Sequence, residues 1–250
     1  LMNRFKLYFM NLYFYTFFLI SSAIVIPLLF LFVFFVSLVM PERHVMRRFR
    51  RSISWYGKVM TSVPFPFIRL RYEDRSGGAS DRSYIFVCNH RAASDAFLMC
   101  VLPVEAVQVV NTWPFHLPVL GRFARMAGYL NIKKMMPEDF NEKAAALLDE
   151  GASIIFFPEG TRSGNGAMGP FHGAAFRLAL KSKAPIVPLC ISGNENIPPK
   201  GSLLLRPGTI RVRRLPAILW EDYKDMNVFS LKNRVREIIG KELSLMECRA

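Results

Sequence analysis

The sequence predicts an α/β fold: a mixed, mostly parallel sheet flanked by helices, with an N-terminal membrane-embedded helical hairpin or long helix ahead of it. Three observations carry this expectation. Residues 7–40 contain no Asp, Glu, Lys or Arg. From residue 84 onward, short apolar runs alternate with stretches of helical periodicity, as expected for strands joined by helical crossovers. Two polar clusters each follow directly on such an apolar run, where α/β sheets place their sites. The chain divides accordingly into a membrane-anchoring segment with a basic flank (1–51), a connecting segment and loop (52–83) and an α/β domain (84–250).

The apolar run comes first. As one straight helix its 34 residues would extend about 51 Å at 1.5 Å per residue, well beyond the roughly 30 Å of a hydrocarbon core. Either a strongly tilted helix continues into the interface, or the run breaks near Ser21, Ser22 and Pro27 into two helices that dip in and return; the break is the favoured reading. A cleavable signal peptide is disfavoured, because the run is too long and ends in Pro41-Glu42-Arg43 rather than in small residues. Arg43, Arg47, Arg48, Arg50 and Arg51 follow it, and Arg4 and Lys6 precede it. Basic flanks are retained in the cytoplasm, so the expected location is the cell inner membrane with the catalytic domain on the cytoplasmic side. The arginines are expected to meet anionic headgroups of the lipid bilayer.

Composition narrows the classes further. A chain of 250 residues with 52% hydrophobic content builds a core rather than a disordered tail. Its 33 Lys+Arg against 19 Asp+Glu give a net charge of +14. A basic surface serves lipid headgroups or nucleic acid alike, but no nucleic-acid motif accompanies this one, so no nucleic-acid partner is expected. Cys88, Cys100, Cys190 and Cys248 form no CxxC pair, which speaks against disulfides and a thiolate-held metal.

In chain order, residues 73–83 (EDRSGGASDRS) read as a surface loop. Strands follow at Tyr84–Cys88, Ala106–Val110, Ser153–Phe157, Ile186–Ser192 and Thr209–Val212, each a short apolar run bounded by polar or turn-forming residues. Helices are placed at Ser94–Val101, Leu117–Ala127, Glu138–Leu148 and Phe171–Leu180, with a closing amphipathic helix at Phe229–Leu245.

The first polar cluster is Asn89-His90-Arg91-Ala92-Ala93-Ser94-Asp95. On one helix, residues five apart would lie about 140° apart, so His90 and Asp95 meet only if His90 sits in the turn before the helix. In that arrangement Asp95 accepts the Nδ1 proton and leaves Nε2 as a base. An N-cap role for Ser94 or Asp95 is the alternative. The second cluster is Phe156-Phe157-Pro158-Glu159-Gly160-Thr161-Arg162-Ser163, at the end of another apolar strand and hence on the same sheet edge. Glu159 offers an acceptor for hydroxyl groups, Gly160 lets backbone approach a ligand, and Arg162 with Thr161 suits a phosphate.

Together, Asn89-His90-x4-Asp95 and Phe157-Pro158-Glu159-Gly160-Thr161-Arg162-Ser163 resemble the glycerolipid acyltransferase family, whose type member is 1-acyl-sn-glycerol-3-phosphate acyltransferase. Two looser blocks extend the resemblance: Gly121–Lys134 is similar to the family's acceptor-binding stretch, and Ile186-Val187-Pro188-Leu189 to its fourth block. The resemblance implies acyl transfer from acyl-CoA or acyl carrier protein to the free hydroxyl of a lysophospholipid acceptor, without a metal or redox cofactor. It makes His90 and Asp95 catalytic, as general base and orienting partner. It makes Glu159, Gly160, Thr161, Arg162 and Lys134 substrate-binding. An oxyanion donor is expected from backbone amides near Gly160 or the Ser94 helix start.

The chain departs from the family in places. Lys133-Lys134 stands where Asp-Arg is common, and Asn111-Thr112-Trp113 brings no basic residue ahead of that block. Lysine is a point charge without the arginine fork, so acceptor identity stays open between lysophosphatidate and another lyso-lipid, such as lyso-ornithine lipid. His172 stands where Lys is frequent; it, His116 and His44 read as surface or packing histidines. A serine hydrolase is disfavoured by the lack of a GxSxG elbow, and a non-catalytic scaffold by the convergence of the two clusters.

Overall fold

The computed structural model describes residues 4–77, 82–92, 94–116, 120–163, 167–199 and 201–248. Its sheet is built from β1 (Ile68–Asp74), β2 (Ile85–Cys88), β3 (Ala106–Val110), β4 (Leu130–Asn131), β5 (Ser153–Phe156), β6 (Ile186–Ser192) and β7 (Gly208–Arg214). Their spatial order is β1-β7-β6-β2-β5-β3-β4. β6, β2, β5, β3 and β4 run parallel, β7 pairs antiparallel with β6, and β1 joins β7 in parallel. This is the mixed, mostly parallel sheet that the sequence implies. All residues of β2, β5 and β6 are buried, because helices cover both faces; such strands read as continuous apolar runs rather than alternating ones.

The period of two along β2 divides the core. Ile85 and Val87 face α5 (Pro137–Asp149), α6 (Ala174–Ser182) and α7 (Val228–Glu247), whose stripes Phe140/Ala144/Leu148 and Leu231/Val235/Ile239/Leu243 repeat every four residues. Phe86 and Cys88 face the opposite side, with Leu98 of the short α3 (Asp95–Leu98) and Met99 and Leu102 after it. α4 (Leu120–Met126) precedes β4; the first residues of the helix expected at Leu117–Ala127, 117–119, lie outside the described residues. So do residues 78–81 of the expected 73–83 loop and Ala93 of the first cluster.

The N-terminal run forms one continuous helix, α1 (Arg4–Ser37), with Pro27 inside it, so the favoured break near Ser21, Ser22 and Pro27 does not occur. The serines make contacts instead: the hydroxyls of Ser21 and Ser22 lie 3.2 and 2.6 Å from Tyr56 Oη on α2 (Glu42–Ser62), the returning arm of the hairpin. By length and composition α1 can cross a membrane. Yet the α/β body holds it near its N-terminal end, where Met10 is buried in the second core cluster. There Asn11 Nδ2 donates to Leu205 O at 3.0 Å while Leu205 N donates to Asn11 Oδ1 at 2.7 Å.

α2 reads in the sequence as a basic flank, but two of its arginines, Arg43 and Arg50, turn inward rather than toward headgroups. Arg43 and Arg50 each donate to Glu105 Oε1 at 2.7 Å, and Arg47 lies 3.7 Å from Oε2. Arg50 Nε also donates to Ala127 O at 2.8 Å. Burial pushes the Glu105 carboxyl up, but the hydrogen bonds and charges of Arg43 and Arg50 outweigh it and hold it below the ordinary range. Arg47, Arg48 and Arg51 remain exposed. The division at residues 51 and 83 also moves: α2 runs through Ser62, and β1 lies within the expected connecting segment, paired along its length with β7.

Candidate active site

Parallel pairing of β2 with β5, in the register Val87↔Phe156, brings the residues just after each strand side by side. The two polar clusters therefore meet at the carboxyl edge of the sheet. Asn89, almost fully buried, locks that edge to β6: its Nδ2 donates to Ile191 O at 2.9 Å, and Ile191 N donates to its Oδ1 at 2.8 Å. His90 sits in the turn before α3, and Asp95 opens that helix.

His90 Nδ1 lies 2.7 Å from Asp95 Oδ2. A carboxylate only accepts, so Nδ1 carries the proton and Nε2 is the nitrogen left for a substrate. The imidazole keeps 21% side-chain exposure while Asp95 has none. Asp95 Oδ2 also accepts from the amides of Arg91 (2.7 Å) and Ala92 (3.0 Å), which folds the turn back on the carboxylate. Ser94, weighed as an N-cap, instead donates its hydroxyl to Ile197 O at 2.9 Å. The Phe157 ring lies 4.8 Å from the imidazole, centroid to centroid. Cys88, just before the cluster, is no nucleophile: burial pushes its thiol well up.

Glu159 is buried and faces inward. Its Oε1 accepts from His90 N at 2.7 Å and its Oε2 from Gly169 N at 2.8 Å. The geometry makes it a brace between the clusters rather than the open hydroxyl acceptor expected from the sequence. Ser163 completes the link, donating from N and Oγ to His90 O at 2.8 and 3.0 Å. Gly160 adopts φ +69°, and a Cβ there would approach His172 to 3.1 Å. Its amide donates to Phe157 O, which removes it as an oxyanion donor. Thr161 and Arg162 are exposed, and Arg162 makes no ion pair with an acid among the described residues.

Lys134 is exposed in the turn after β4, at the same sheet edge but three strands from β2, a lateral separation of about 14 Å. It is thus not beside the His90–Asp95 pair. His172 lies against Gly160 and is exposed, while His116 and His44 are exposed elsewhere. Sequence reasoning missed three residues around the dyad: Glu195, Glu247 and Asn194. Arg91 pairs with Glu195 and, from α7, with Glu247, and Asn194 Nδ2 donates to Asp95 Oδ1. Their signal was weak, since none lies within a motif that names its partner.

The family model described as Acyltransferase matches residues 69–192. A chloroplastic 1-acyl-sn-glycerol-3-phosphate acyltransferase of Brassica napus is 33% identical over 172 residues, 66% of this chain and 50% of that protein. The chain thus spans about half the length of that relative. A 1-acyl-sn-glycerol-3-phosphate acyltransferase of Limnanthes alba is 28% identical over 217 residues, covering 77% of each. The crystal structure of a 1-acyl-sn-glycerophosphate acyltransferase from Thermotoga maritima shares the fold at a TM-score of 0.80 and 22% identity, over 100% of this chain and 99% of that one.

Proposed function

We propose that this chain, which belongs to the acyltransferase family, moves a fatty acyl group from acyl-CoA or acyl carrier protein to the free hydroxyl of 1-acyl-sn-glycerol-3-phosphate, making phosphatidate. The observation that carries the reading is the 2.7 Å contact of His90 Nδ1 with Asp95, which leaves Nε2 for a substrate in a turn tied to Ser163, the neighbour of the exposed Arg162.

A hydroxyl is a weak nucleophile until a base removes its proton, whereas a thioester carbonyl is already activated. The hydroxyl proton passes to His90 Nε2 as the oxygen attacks the carbonyl carbon, and buried Asp95 stabilises the imidazolium that forms. Collapse of the tetrahedral intermediate breaks the C–S bond. The thiolate leaves with the proton that His90 returns, so the base ends as it began. Arg162 binds the acceptor phosphate by charge-assisted hydrogen bonds, with Thr161 beside it. Lys134 adds positive charge further along the edge.

Substrate and product are lipids, so the reading places the enzyme on the cytoplasmic face of the cell inner membrane. A helix that leaves a body perpendicularly touches it at one end. α1 is held near Asn11 by Leu205, at Ser21 and Ser22 by α2, and beyond Ser37 through the clamp of α2 on Glu105. That favours α1 lying along the bilayer interface. The test is turnover of lysophosphatidate with acyl-CoA and acyl carrier protein thioesters by purified protein. The His90→Ala variant should bind vesicles and lose turnover by roughly 10²–10⁴-fold. Undiminished turnover would sink the assignment of the base. Equal use of an acceptor lacking a phosphomonoester would exchange lysophosphatidate for another lyso-lipid.

A further inference from the structure

The segment just past β6 belongs to neither polar cluster, yet it reaches the dyad. Gly193 adopts φ +82°, and a Cβ there would lie 2.2 Å from Thr209 O, so the chain turns in a way only glycine permits. The turn delivers Asn194, fully buried, onto the far side of Asp95. Three donors serve Asp95 Oδ2: His90 Nδ1 and the amides of Arg91 and Ala92. Among the described residues, Oδ1 has one, Asn194 Nδ2.

The other end of the same amide group shows what fixes it. Asn194 Oδ1 is buried without a hydrogen-bond partner. A buried acceptor left unpaired is unfavourable, so the side chain is oriented by its donor end, toward the carboxylate. The backbone is held independently: Ile197 N donates to Asn194 O at 3.0 Å, and Ser94 Oγ, next to Asp95, donates to Ile197 O at 2.9 Å. Arg91 ties the neighbouring Glu195 to the same turn.

We propose that Asn194 is a positioning residue for the base, an inference that rests on the reading of His90 given above. By holding Oδ1 it fixes the rotation of the Asp95 carboxylate, which keeps the Nδ1 proton engaged and Nε2 aimed at the acceptor hydroxyl. It also holds the buried negative charge against the imidazolium that forms as the hydroxyl proton arrives. The residue touches neither substrate nor reacting atoms, so its loss acts on kcat rather than on acceptor affinity.

The test is a kinetic double-mutant cycle on the full chain, with acyl-CoA and lysophosphatidate as substrates and thermal unfolding measured alongside. Asn194→Ala should lower kcat roughly ten- to a hundredfold and leave KM for the acceptor within about twofold. In the His90→Ala background the same change should cost nothing further, because a partner acting only through the base has nothing left to position. Asn194→Ser, which keeps a donor, should fall between asparagine and alanine. Wild-type kcat in a folded Asn194→Ala, or an equal loss in both backgrounds, overturns the proposal. If alanine fails to fold, the serine variant is read by the same criteria; unfolding of both also overturns it, marking a residue of the scaffold alone. Full turnover by His90→Ala would instead refute the base itself, so the two failures are distinguishable.

Discussion

The amide of His90 and the carboxylate of Glu159 are joined at 2.7 Å, so the acidic residue of one polar cluster supports the histidine of the other. Its second oxygen holds Gly169, whose carbonyl accepts from Arg236 of α7 at 2.9 Å. Glu159→Gln presents an NH2 group to one of two amide donors and leaves that donor buried and unpaired. A loss of about 1–3 kcal/mol in stability is expected, with a fall in kcat as His90 shifts. Thermal unfolding and turnover on one preparation check this. Unchanged unfolding with only a raised acceptor KM would return Glu159 to direct substrate binding.

Arg162 behaves differently because it is exposed and lacks an acidic partner among the described residues. Arg162→Ala should raise KM for lysophosphatidate by about ten- to a hundredfold, the worth of a charge-assisted hydrogen-bond pair, with kcat and stability little altered. Arg162→Lys should recover part of the affinity, since the charge remains while the fork is lost. Equal losses on phosphate-bearing and phosphate-free acceptors would show that Arg162 does not read the phosphate.

What the sequence displays and what it conceals follow from the range of the interactions. β2, β5 and β6 are buried on both faces, so their apolar runs name them without reference to anything else. β1 does not: it is an edge strand in which Arg69, Arg71 and Glu73 alternate with Ile68, Leu70 and Tyr72, and its place depends on pairing with β7, 140 residues along the chain. α2 reads as a lipid-facing flank because the acceptor of its arginines, Glu105, lies far off in sequence. In the site, His90 and Asp95 are five residues apart and their pairing can be argued from spacing. Asn194 is 99 residues from the carboxylate it holds.

The Glu105 clamp carries a pH signature. Its carboxyl titrates below the ordinary 4.5 when folded, so the ion pairs stabilise the fold fully above the unfolded value, and that contribution disappears as pH falls from there through the folded value. Glu105→Gln should lose about 3 kcal/mol at neutral pH, because Arg50 is left buried and short of a counter-charge. The gap between wild type and variant should narrow below pH 4.5. Urea midpoints from pH 3 to 7 measure it; a gap independent of pH would mean that shape, not charge, holds α2 to the body.

The attachment of α1 to the α/β body runs through Asn11, a buried polar side chain on a predominantly apolar helix, and it separates docking of the helix from binding to lipid. Asn11 supplies both a donor and an acceptor to Leu205. Asn11→Leu keeps the volume and raises the apolar character of the helix, yet strands the amide and carbonyl of Leu205. Two unpaired backbone groups should cost about 2–4 kcal/mol if they stay dry, which water entering the loop relieves in part. Vesicle binding should therefore be retained or increase, while hydrogen exchange at residues 203–205 speeds up. Because Asn194, Ile197 and the 203–205 loop belong to one connection between β6 and β7, turnover should fall as well. Loss of vesicle binding with unaltered exchange would mean that Asn11 serves a bilayer contact rather than the joint between α1 and the α/β body.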